Sequence, residues 1–140
     1  MATAGFVMLL GPLPEEIGWR GIALDALQRR FSPLFASLVL ATVWAAWHGP
    51  LFLMDGYYER FGEAPNPVHF TYDIVLTTLL ITWIFNHTGR SVLAAILFHF
   101  MVNFSEEIVS GSPDGDLVAS ALTTAVVAVL LWRGALQRRG

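Results

Sequence analysis

Five apolar stretches run along the chain, separated by short groups of Gly, Pro, Asn, Asp and Arg. Their lengths and the lack of strand-like alternation predict helices and exclude a membrane barrel. The first helix is predicted from Pro14 to about Arg30. Proline is favoured at a first helical position, because its missing N–H has no intrahelical use there. A strongly apolar second helix is predicted over 33–54. A polar loop at 55–69, "DGYYERFGEAPNPVH", precedes a third helix from about Phe70 to Asn86. "HTGR" is a short turn, and a fourth helix follows from about Ser91 to Ser110. "GSPDGD" is a loop before a fifth, short helix from Leu117 to Trp132. The opening stretch, "MATAGFVMLL", is shorter than the roughly 20 residues that cross a bilayer. It reads as the tail end of a helix whose beginning is missing, the chain being either a fragment of a longer protein or a naturally shortened version. It also lacks the basic start of a signal peptide, since the first arginine is Arg20.

Composition places these helices in a membrane. The 140 residues are 55% hydrophobic and 14% charged, and the mean hydropathy is +0.58. A soluble domain carries about 25% charged residues. The expectation is one domain, 1–140, folded as an all-α polytopic transmembrane bundle of about four to five helices. The lipid bilayer is its first partner. There is no cysteine, so neither a disulfide framework nor a thiolate site exists. The net charge is -3 and the arginines are scattered, which argues against a nucleic-acid partner.

Charge then alternates from loop to loop. Arg29 and Arg30 follow the first helix, and the 55–69 loop is acidic. Arg90 sits in the next turn. Glu106, Glu107, Asp114 and Asp116 crowd the loop after it, and Arg133, Arg138 and Arg139 close the chain. The positive-inside rule puts Arg29, Arg90 and the C-terminus in the cytoplasm.

Ionisable and amide groups inside such helices are functional candidates, because they are costly to bury in lipid. In "GPLPEEIGWRG", Glu16 and Arg20 are i,i+4 neighbours able to pair, while Glu15 points about 100° away. One carboxylate is neutralised locally and the other is left for chemistry. Both lie in a first helical turn, where the dipole favours an anion. His48 lies deep in the second helix beside the small-residue stripe Ser37, Ala41, Ala45 and Gly49, which lets helices pack closely. His99 and Asn103 are i,i+4 on the fourth helix, in a second stripe with Ser91 and Ala95. On the third helix Thr77, Thr78, Thr82 and Asn86 read as packing residues, and Asp73 as interfacial. No Ser-His-Asp set has matching support.

Glu15, His48, His99 and Asn103 thus come from three helices that share one interior. Two mechanisms suit the set. Glu15, His48 and His99 can ligate a divalent metal such as Zn2+, which activates a water. Alternatively Glu15 activates the water directly, with histidine as partner acid and Asn103 plus histidine holding the oxyanion. Both predict peptide-bond hydrolysis within the membrane, on a peptide or protein substrate.

These residues resemble the CPBP intramembrane protease family, also called the Abi or CAAX-protease family. Its motifs are EExxxR, FxxxH and HxxxN or HxxxD. The first stands here as "EEIGWR", the third as "HFMVN", and the second as "WAAWH", with Trp44 where the family usually has Phe. The resemblance covers about residues 11 to 110. It implies a membrane bundle with a catalytic cavity, Glu15 as water-activating base, and His48, His99 and Asn103 completing the centre. Glu16 and Arg20 would hold Glu15 in place. It implies a multi-pass protein of the prokaryotic inner membrane, lacking the helices that family members carry before the first motif. Family substrates include prenylated CAAX proteins and bacteriocin or signalling peptides. Some members serve as scaffolds or in self-immunity, which is the alternative function.

Overall fold

The computed structural model describes residues 10–57, 65–109 and 113–137; at 106–109, 113, 114 and 116 it describes the backbone alone. The reading of the N-terminal stretch as a helix tail falls mostly outside these residues. So do parts of both acidic loops and Arg138 and Arg139.

Among the described residues there are five helices and no strand. Helix α1 runs over 12–28 and has three parts: an α segment Pro12–Gly18, a π turn Trp19–Leu24, and an α segment Asp25–Gln28. Helix α2 is Pro33–His48, continued by a 3-10 turn Gly49–Leu53. Helix α3 is Pro67–His87, α4 is Val92–Val109 and α5 is Pro113–Trp132. The expected all-α bundle is what the chain forms.

The boundaries that differ from expectation have local causes. Helix α3 starts at Pro67 rather than Phe70, because the Asn66 side chain caps Val68 N–H at 2.9 Å and His69 N–H at 3.2 Å. Helix α5 starts at Pro113 rather than Leu117, again with proline at its first position. The α form of α2 stops at His48 because Pro50 supplies no N–H and clashes with the preceding turn. Ser32 caps α2 through Phe35 N–H at 3.3 Å.

Helix α3 is the central element. It packs against α2, α4, α5 and the π turn of α1, and buries Ile74, Leu76, Leu79, Ile81 and Phe85. Thr78 and Thr82 are fully buried on it, as packing residues would be. One apolar cluster joins Leu24, Ala36, Leu40 and Phe85; another joins Leu76, Leu79, Val127 and Leu136. The outer faces stay apolar, with Ile22, Phe35, Val43, Leu93, Leu122 and Val126 exposed. Among the described residues two helices, Pro33–Leu53 and Pro67–His87, are long and apolar enough to cross a membrane.

The basic ends gather at one end of the bundle. Gly89 and Arg90 turn the chain with positive φ of 65° and 63°, and Arg90 N–H closes on Phe85 C=O at 2.8 Å, as in a Schellman ending. The Arg90 guanidinium pairs with Asp25, which also holds Arg29 at 2.8 Å. The segment after α5 reaches the same end, where Leu34 N–H donates to Leu136 C=O at 3.0 Å.

Candidate active site

The first turn of α1 places Glu15 and Glu16 on different faces, and two other helices take hold of them. Glu16 is fully buried. Its Oε1 accepts from Arg20 Nη1 at 2.7 Å and from His99 Nδ1 at 2.8 Å. The expected Glu16–Arg20 pair is therefore present, and α4 adds a histidine to it. Arg20 lies within the π turn, a distortion frequently found at functional sites. Glu16 Oε2, Arg20 Nε and Arg20 Nη2 are buried without a protein partner among the described residues, so this network has polar capacity to spare.

Glu15 is half-buried and is not left unpartnered. Its Oε2 accepts from the indole N–H of Trp44 at 2.8 Å. The residues are 29 positions apart, so helical spacing around Glu15 carries no sign of the bond. Glu15 also lines a cleft of about 510 Å³ with Gly11, Pro14, Gly18, Trp19 and Trp47. Clefts of roughly 300–1,000 Å³ suit small-molecule ligands.

Trp44 sits among the remaining groups. The Arg20 guanidinium lies 4.9 Å from its ring centre. His99 meets it edge-on at 5.1 Å, and His48 lies tilted to it at 5.8 Å. His48 Nδ1 donates to the Trp44 carbonyl at 2.8 Å. A carbonyl only accepts, so Nδ1 carries the proton and Nε2 is the lone-pair nitrogen of the neutral ring. His48 also contacts Trp47 at 5.0 Å and Phe70 at 5.2 Å, in an aromatic wall. Asn103 stands one helical turn beyond His99, half-buried. Among the described residues it lies outside the hydrogen-bond network of Glu15, Glu16 and Arg20.

The fit to a metal is partial. Both histidines tie Nδ1 to an acceptor, as metal-binding histidines do. Yet among the described residues no three His, Asp or Glu side chains form a group that could hold a metal ion. Glu15, His48 and His99 are thus not grouped as a ligand set among the described residues.

A second polar cluster went unseen in the sequence. Ser120 Oγ on α5 donates to Asp73 Oδ1 at 2.9 Å and lies 3.2 Å from His69 Nε2. His69 Nδ1 is 3.4 Å from Asp73 Oδ2. The hydroxyl is thus spent on the carboxylate, not aimed through the histidine as a nucleophile requires. The cluster ties α5 to α3.

Comparison with known proteins gives the chain a family. The family model described as type II CAAX prenyl endopeptidase Rce1-like matches residues 1–105. The chain belongs to this family. It is 33% identical over 129 residues to CAAX prenyl protease 2 of Methanococcus maripaludis, covering 90% of this chain and 48% of that protein. It is 21% identical over 118 residues to lysostaphin resistance protein A of Staphylococcus haemolyticus, covering 82% of this chain and 30% of that protein. The chain thus spans about half the length, or less, of these curated relatives. The CAAX-protease resemblance read from the motifs is met. With two long apolar helices and an apolar exterior, the family member is a membrane protein.

Proposed function

We propose that this chain carries the catalytic centre of an intramembrane endopeptidase acting on membrane-associated proteins or peptides, prenylated CAAX substrates among them. The observation that carries the reading is the Glu15 carboxylate. It lines an open cleft of about 510 Å³ and is held by Trp44, which also touches His48 and His99. Glu15 takes a proton from water as the oxygen attacks the scissile carbonyl. The Asn103 amide holds the developing oxyanion, joined by His99 in the form that carries protons on both ring nitrogens, since its Nδ1–H is spent on Glu16. His48 Nε2, bare in this tautomer, takes the water's proton from Glu15 and passes it to the leaving amine as the C–N bond breaks. A positioned base contributes about 10²–10⁴-fold in such a reaction. Glu16 and Arg20 fix the helix that presents Glu15.

The membrane arrangement belongs to the same proposal: a multi-pass protein of the inner membrane with its C-terminus in the cytoplasm. Its support is that Arg29, Arg90 and the C-terminal segment share one end.

The test compares membrane-bound peptides in cells carrying the parent and Glu15→Ala. Peptides whose cleavage is lost with Glu15→Ala are expected; identical peptide sets would overturn the reading. Metal content is tested by elemental analysis and by activity after chelation. Retained activity is expected. Activity that disappears and returns with Zn2+ would move the water onto a metal held by Glu15, His48 and His99. Likeness to a lysostaphin resistance protein supports a second reading, a catalytically silent scaffold or self-immunity protein. In that case Glu15→Ala keeps the resistance phenotype.

A further inference from the structure

We propose that Trp44 is the positioning residue of this centre, joining Glu15, Arg20 and His99 through one side chain and His48 through its carbonyl. The inference rests on Glu15 being the base. Trp44 is 3% exposed, so its indole N–H needs a partner inside the protein. That partner is Glu15 Oε2 at 2.8 Å. The bond fixes which carboxylate oxygen stays available to a water in the cleft, and it crosses from α2 to α1.

The ring does separate work. Arg20, 4.9 Å from its centre, is held between the aromatic face and Glu16. His99 packs edge-on at 5.1 Å, which orients the imidazole whose Nδ1 is tied to Glu16. The backbone carbonyl holds His48 in the tautomer with Nε2 bare. Phenylalanine at position 44 would keep a ring and that carbonyl but lose the N–H. Trp44→Phe therefore isolates the link to Glu15.

Two measurements test this. In the full chain in detergent, the ¹⁵N-indole spectrum has five tryptophans to resolve, and Trp44→Phe assigns the signal of Trp44. In Glu15→Ala that signal is expected to move and to exchange faster with water. An unchanged Trp44 signal would overturn the proposal, whatever the protein cleaves. The kinetic measurement uses a farnesylated, quenched fluorescent peptide ending in a CAAX sequence. Trp44→Phe is expected to lower kcat about 10-fold or more with KM little changed, since a hydrogen bond to a charged group is lost. If Glu15→Ala abolishes cleavage and Trp44→Phe cleaves like the parent, the role of Trp44 fails and the base assignment stands. If Glu15→Ala cleaves like the parent, the base assignment itself fails.

Discussion

Two clusters in this molecule each use a carboxylate and a histidine to tie two helices together, and they differ chiefly in burial. Glu16, Arg20 and His99 join α1 to α4 with side chains 0%, 0% and 7% exposed. His69, Asp73 and Ser120 join α3 to α5 with His69 and Asp73 46% and 33% exposed. The buried cluster includes a permanent cation and short, charge-assisted bonds. The outer one has longer contacts and water at hand. Similar residue types thus make a rigid, costly centre in one place and a mild surface tie in the other. Composition alone does not separate them; desolvation does.

The largest effect is expected from Arg20→Ala. It strands Glu16 as a buried charge, which costs about 3–5 kcal/mol. The thermal midpoint in detergent should fall steeply, and a parent-like midpoint would remove the contrast between the clusters. His99→Ala removes one of two donors to Glu16 Oε1, so about 1–3 kcal/mol is expected. Denaturation in mixed detergent micelles would measure it. Ser120→Ala should cost only about 0.5–1 kcal/mol, the net worth of one hydrogen bond. A loss as large as that of Arg20→Ala would show that exposure is not what separates the two clusters.

The smallest effect concerns Asp25, at the basic end outside the two candidate spans. The hydrogen bond from Arg29, then the charge of Arg90, holds its carboxyl below the ordinary 3.8. A carboxylate with a lowered folded pKa stabilises above the ordinary value, and its contribution falls away as pH drops below that value. Melting followed from pH 6 to pH 3 should therefore show a slope that Asp25→Asn reduces. An unchanged slope would leave this pair without a role.

Much of this was open to reading along the chain. Proline and glycine marked the helix limits to within a few residues. The i,i+4 spacing of Glu16 and Arg20 predicted a pair that forms. The small-residue stripes pointed His48 and His99 into the bundle. The misses beyond helix limits and the π turn are contacts between helices. Trp44 read as an aromatic standing in for phenylalanine, whereas its indole N–H is the group that reaches Glu15. The π turn leaves no trace in apolar periodicity. Nothing in the spacing along α5 marks Ser120 as a partner of Asp73, a contact made only once α5 packs beside α3.

By itself, then, the sequence determined the helices, the membrane setting, the local Glu16–Arg20 pair and the motif order that marks the family. Each is set by composition or by spacing within a single helix. Only the tertiary structure decided which carboxylate each partner takes. Once α2 and α4 dock against α1, Trp44 meets Glu15 and His99 meets Glu16, because a hydrogen bond requires approach to about 3 Å that spacing in one chain segment cannot specify.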